Sequence, residues 1–137
     1  MIDQVTVFLE NDKGRLLALT RALAAAEINM QALTIAETSD YGLVRIVCDD
    51  PKKAVEALRA ADFRAIVTEV LAVVVPNRPG GLAELLETFA KLDLNIEYGY
   101  CFGVEGGEAV DVLKVANPRQ AYAALEAAGY KLIKRSE

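Results

Sequence analysis

The chain has 137 residues, of which 53% are hydrophobic and 26% charged. That is enough apolar material to bury a core and too much for a disordered chain. A net charge of −5 with no cluster of lysine and arginine argues against nucleic acid as a partner, since its binders carry a basic patch.

The first residues, MIDQVTVFLEND, show no basic segment followed by a long apolar one. No stretch approaches the ~18 apolar residues of a membrane span, so a soluble, cytoplasmic protein away from membranes is expected. Residues 3–9, DQVTVFL, are β-branched and bounded by a turn signal, which predicts a strand. From Lys13 to Ala26, apolar residues recur at Leu16, Leu19, Leu23 and Ala26, which predicts a helix. Residues 30–37 and 43–48 read as strands around an Asp40-Tyr41-Gly42 turn. Asp50 followed by Pro51 reads as an N-cap with proline at the first helical position, and that helix runs to about Ala61. A short strand near Arg64–Val67 closes a βαββαβ unit.

The same order then repeats. A strand over 69–75 leads to a helix over 79–92, with Leu82, Leu85, Phe89 and Leu92 on one face. Strands over 96–102 and 109–115 flank Gly106-Gly107. A helix over 118–128 starts after Asn117-Pro118 and stops at Gly129, a C′ glycine. A last strand spans 130–134. The letters repeat as well as the pattern: Asn11 and Asn77, Gly14 and Gly80, Leu16 and Leu82, and Asn29 and Asn95 are each 66 residues apart. Pro51 and Pro118 are 67 apart, so the second copy carries one extra residue, assigned to its VEGGEA turn. Arg45 and Asp111 fall at corresponding places in this reading. Two domains follow, residues 1–67 and 68–137, each an α+β ferredoxin-like unit with both helices on one face of an antiparallel sheet. Domains of ~60 residues are marginal alone, and the boundary near Thr68 has almost no linker. The two units are therefore expected to pack against each other rather than hang on a flexible tether.

The chemistry is expected at the strand–helix junctions ENDKGRL and PNRPGGL. A helix N-terminus exposes unpaired N–H groups and the positive end of its dipole, so it attracts a carboxylate. Gly14, Gly80 and Gly81 let a ligand or a neighbouring backbone come close. Asn11 and Asn77 can meet an ammonium or a carboxylate. Asn29 and Asn95 also read as plain turn asparagines. Cys48 and Cys101 read as small buried hydrophobes, and the carboxylates of EGGE at 105–108 as solvated. Histidine is absent, which removes the commonest general base and metal ligand. No catalytic, Walker-loop or metal-ligand pattern appears, and the reading names no cofactor. An acylphosphatase-type hydrolase or cofactorless isomerase is the alternative, weakened by the lack of an arginine-terminated glycine loop and of histidine.

On VPNRPGGLAELLETFAKLDLNI, with its strand, Asn-x-Pro-Gly-Gly-Leu, helix and Asn-Ile, the chain resembles the ACT domains, amino-acid-sensing modules of metabolic enzymes. The resemblance covers about residues 3–67 and 69–135. The first copy departs from the motif at Lys13, where proline is usual, and at Met30. The resemblance implies two units paired side by side into one eight-stranded sheet, and a non-catalytic regulatory protein that binds a free amino acid at the seam between them. One such site would use Asn11, Lys13, Gly14, Arg15 and Leu16 with Asn95, Ile96 and Glu97. The other would use Asn77, Pro79, Gly80, Gly81 and Leu82 with Asn29, Met30 and Gln31. Tyr98 and Tyr100 are candidates for a pocket wall, though packing is the plainer reading. Exposed strand edges favour a homodimer, and a regulated metabolic enzyme is the expected partner.

Overall fold

A computed structural model describes residues 1–37 and 40–134, with the backbone alone at residues 37, 104 and 105. The chain divides into two compact units, Asp3–Thr68 and the residues from Glu69 onward together with Met1 and Ile2.

The first unit holds β1 (Ile2–Glu10), α1 (Arg15–Ala25), β2 (Met30–Glu37), β3 (Tyr41–Cys48) and α2 (Pro51–Ala60). It ends in the first part of β4, which runs Arg64–Pro76. Its strand order is β2-β3-β1-β4, and β3 pairs antiparallel with both β1 and β2. The second unit continues on the rest of β4 with α3 (Gly81–Lys91), β5 (Ile96–Glu105), β6 (Glu108–Val115), α4 (Pro118–Ala127) and β7 (Lys131–Leu132). There β6 pairs antiparallel with β4 and β5, and β7 with β4. The fold is α+β, with antiparallel sheets of the ferredoxin-like order.

One expected break is missing. The strands predicted at 64–67 and 69–75 are a single strand of 13 residues, so the described strands number seven where eight were expected. No glycine or proline interrupts the run RAIVTEVLAVVV, and nothing there forces the chain to turn.

Alternation along the strands puts one face on the helices. In the first unit Val5, Val7, Leu9, Val44, Ile46 and Ala65 pack against Leu19 and Leu23 of α1 and Ala54, Val55 and Leu58 of α2. In the second unit Leu71, Val73, Val75, Leu113 and Val115 pack against Leu85 and Phe89 of α3 and Ala121 and Leu125 of α4. Both helices of each unit thus lie on one sheet face, and each fully buried aliphatic side chain contributes roughly 1.5–3 kcal/mol. The helical stripes are narrower than their periodicity suggests. Leu16, Leu82 and Leu92 are exposed. The Asp40-Tyr41-Gly42 turn also shifts. Tyr41 and Gly42 are already in β3, and residues 38 and 39 lie outside the described set.

All four helices end alike. Glu27, Asp62, Asp93 and Gly129 take left-handed dihedrals. The N–H of the next residue donates five residues back, Ile28 to Leu23, Phe63 to Leu58, Leu94 to Phe89 and Tyr130 to Leu125. These are Schellman motifs with their apolar contact. Only Gly129 announced itself in sequence. The left-handed residue therefore stands two positions before Asn29 and Asn95, which open the next strand instead. Asp50 caps α2 as expected, accepting from the Lys53 N–H at 3.2 Å.

The extra residue of the second copy sits beside the Gly106-Gly107 turn. Pairing runs Phe102 with Val110, then Glu105 with Glu108, a slip of one in β5, and Gly103 takes φ 63° at the bulge. The slip corrects one expected correspondence. Asp111 occupies the place of Val44, not of Arg45: Val73 faces Asp111 as Val7 faces Val44. The two charged residues stand on opposite sheet faces.

Candidate functional site

The β1–α1 and β4–α3 junctions share one backbone. The Asp12 and Arg78 N–H groups donate to Glu10 and Pro76, and those of Arg15 and Gly81 to Asp12 and Arg78. Lys13 in place of Pro79 does not change that path. Gly14 and Gly80 are the N-cap residues, with φ 84° and 87°, a region where glycine alone is unstrained. Neither cap has a side-chain hydrogen bond, so no side chain occupies the helix N-terminal donors. Gly81 has a second constraint, because a Cβ there would run into the Pro76 carbonyl oxygen.

Around the junctions Asn11, Lys13, Leu16, Asn77, Pro79 and Leu82 are exposed. The Asn77 N–H donates to Gly107 at 2.7 Å. Arg78 reaches over the second loop to Glu84 through two hydrogen bonds, at 3.0 and 2.9 Å. Asn29 and Asn95 are exposed. The backbone of Asn29 is tied to Asp49, whose carboxylate accepts its N–H at 3.2 Å. Met30 and Ile96 pack on the edges of their units' cores. Gln31 and Glu97 sit where the strand register slips, equivalent β-bulges that re-aim their side chains. Glu97 pairs with Lys114 at 3.2 Å. Tyr98 and Tyr100 are half-buried.

In the first unit the junction borders a cavity of about 330 Å³. Phe8, Leu9 and Glu10 bring the end of β1 to it, Arg15 the first turn of α1, and Tyr41 the start of β3. Asp62 and Arg64 arrive through the Schellman motif that closes α2, which turns Phe63 inward and starts β4 at Arg64. The Arg15 guanidinium lies 4.3 Å from the Phe63 ring centroid. Its Nε is 3.4 Å from a Glu10 oxygen, an ion pair without a hydrogen bond. The Arg64 guanidinium lies 5.6 Å from the Phe8 ring. Stacking on a ring face holds a guanidinium without using its N–H fork. Two cations and two carboxylates thus border an apolar wall. Of these residues only Arg15 was expected at a binding site from the sequence; Tyr41 and Arg64 entered there as a turn and a strand start. The rest come from three strands and the turn between α2 and β4, and only the even–odd alternation that pairs Phe8 with Glu10 on one face of β1 hinted at them.

The buried charge of the second unit is Asp111, on the helix-facing side of the sheet. Burial raises its carboxyl above the ordinary range, and a hydrogen bond from the Cys101 thiol partly opposes this. Cys101 is exposed, contrary to expectation, whereas Cys48 is buried and burial pushes its thiol up to about 11. A carboxyl with a raised folded pKa stabilises most when protonated, and that contribution declines as pH rises through the folded value. Asp111→Asn is therefore expected to gain stability over the native chain at pH 7, with the gain shrinking on acidification towards about pH 4. Urea midpoints at both pH values check this, and a gain that grows on acidification would contradict it. No cluster that could hold a metal occurs among the described residues, and no described helix is long and apolar enough to cross a membrane.

The sequence profile of the ACT domain pair matches residues 1–134. Among solved structures, protein BT0572 from Bacteroides thetaiotaomicron is 36% identical, with a TM-score of 0.91 covering 96% of this chain and 91% of that one. The regulatory subunit of aspartate kinase from Thermus thermophilus is 16% identical, with a TM-score of 0.66 over 92% and 91%. That from Thermus flavus is 18% identical, with a TM-score of 0.62 over 92% and 91%. At such identities the last two likenesses are of fold. No curated protein matches the chain.

Proposed function

Because the chain belongs to the ACT domain pair family, we propose that it is a non-catalytic regulatory protein that binds a free amino acid beside the first β–α junction. The observation that carries this is the cavity of about 330 Å³ between Arg15 and Arg64 on one hand and Glu10 and Asp62 on the other. A zwitterion needs both signs of charge within a few ångströms, and guanidinium forks bind carboxylates bidentately. The cavity sits at the small end of the ~300–1,000 Å³ usual for ligand sites, a size for one small molecule. The adjoining α1 N-terminus adds its positive end without a competing side-chain cap.

Two structures of like fold are named as regulatory subunits of aspartate kinase. By that analogy the chain acts on an enzyme of amino-acid metabolism, and the ligand works by favouring one state of the chain or its complex. Strands β2 and β5 each end the strand order of their unit, which leaves edges on which a second copy can pair.

Thermal-shift measurement with each of the twenty amino acids tests the reading. A ligand at about 100 times its Kd is expected to add ~2.7 kcal/mol of stability. A flat response to all twenty at millimolar concentration would sink it.

A further inference from the structure

We propose that the chain holds one amino acid, in the first unit alone, and that this site selects an uncharged apolar or aromatic side chain, with Arg64 taking the ligand carboxylate. The proposal rests on the amino-acid-binding reading above and adds stoichiometry and ligand class to it.

The repeat, corrected by the observed register, matches the two units position by position. Position 8 aligns with 74, 10 with 76 and 15 with 81 through the shared β1–β3 and β4–β6 pairings. Beyond the bulge, 41 aligns with 108, 62 with 129 and 64 with 131. Carried across, Phe8 becomes Val74, Glu10 becomes Pro76 and Arg15 becomes Gly81. Tyr41 becomes Glu108, Asp62 becomes Gly129, and only Arg64 keeps its charge, as Lys131. The second unit therefore has one cation where the first has two, no aromatic wall, and neither of the first unit's two carboxylates at its place. It preserves the junction backbone, but its carboxylate, Glu108, stands at the place of the Tyr41 wall, and its one cation is a lysine without the guanidinium fork that grips a carboxylate bidentately. The unit with the more regular glycine motif is thus the poorer in binding chemistry. Its glycine at 81 is explained by the close Pro76 carbonyl and needs no ligand.

Within the first unit the charges are not equivalent. Arg15 already faces Glu10. Among the described residues neither Arg64 nor Asp62 has an ion-pair partner, and both border the cavity. A ligand carboxylate on Arg64 and an ammonium towards Asp62 would complete both. The remaining wall is Phe8, Leu9 and Tyr41. Phe8 is 42% and Tyr41 50% exposed, and an apolar side chain laid against them removes that surface from water. A third charge on the ligand would find only Arg15 and Glu10, which already face each other, and would lose hydration against the apolar wall.

Titration calorimetry on the full chain, with phenylalanine, leucine, aspartate and lysine as probes, decides it. The expected result is one molecule per chain and affinity for phenylalanine or leucine at least about tenfold above that for aspartate or lysine. Arg64→Gln is expected to weaken binding about tenfold or more, as for loss of a charged hydrogen bond. Lys131→Gln, its counterpart, is expected to leave affinity unchanged, and the melting temperature of each unliganded variant reports whether it still folds. Phe8→Ala, at an exposed ring, supplies a second variant and should weaken phenylalanine binding. Two molecules per chain, tighter binding of aspartate or lysine, or equal losses from the two cation variants would overturn the proposal while leaving amino-acid binding intact. Failure of every one of the twenty amino acids to bind would remove both.

Discussion

Phe89→Ala is expected to destabilise the protein by about 3–5 kcal/mol, the usual range for truncating a buried aromatic. Phe89 is 2% exposed and lies at the centre of the second unit's core. It also closes α3: its carbonyl accepts the Leu94 N–H at 2.9 Å, and its ring is the apolar partner that this Schellman motif requires. Alanine would leave a cavity among Leu85, Leu125 and their neighbours that a sheet on one side and a second helix on the other cannot collapse to fill. Since domains are stable by only about 5–15 kcal/mol in all, the variant should unfold at clearly lower urea concentration. A change below about 1 kcal/mol in the extrapolated stability would mean that the core relaxes to fill the space the ring leaves. Leu23 holds the same place in α1 of the first unit and is equally buried, so the aromatic is this unit's own way of filling a common site.

Gly81→Ala is expected to cost about 3 kcal/mol, the upper part of the range for overpacking. The added methyl would meet the Pro76 carbonyl oxygen. That atom is backbone at the end of β4 and cannot rotate away as a side chain would. Relief requires moving the strand end or the first turn of α3, and the turn is held by a 3.0 Å hydrogen bond from Gly81 to Arg78. The first unit shows the contrast. Arg15 stands at the equivalent place with a full side chain, and its junction closes through a longer bond of 3.3 Å to Asp12. Denaturant unfolding checks the stability, and a crystal structure of the variant would show the shift. A loss under about 0.5 kcal/mol would mean the helix N-terminus moves freely.

These cases show which parts of the molecule a reader of the sequence can reach. The repeat was legible because Asn, Gly, Leu and Asn recur at one spacing and because strands and helices write their own periods into local sequence. Asp50-Pro51 and Gly129 marked helix ends because proline and glycine constrain the backbone wherever they stand. The left-handed ends at Glu27, Asp62 and Asp93 were invisible, since their conformation is imposed by the apolar contact that follows rather than by the residue.

The sequence by itself determined that this chain is two ferredoxin-like units of the ACT kind, with glycines at both β–α junctions. Those properties depend on neighbours a few residues apart. Only the tertiary structure decided that β4 runs unbroken, that Asp111 stands where Val44 does, and that Phe8, Tyr41, Asp62 and Arg64 meet Arg15 at one cavity. Strand continuity and register depend on pairing with residues tens of positions away. A cavity depends on which elements end at the same edge of a sheet. Neither is carried by any short stretch of sequence.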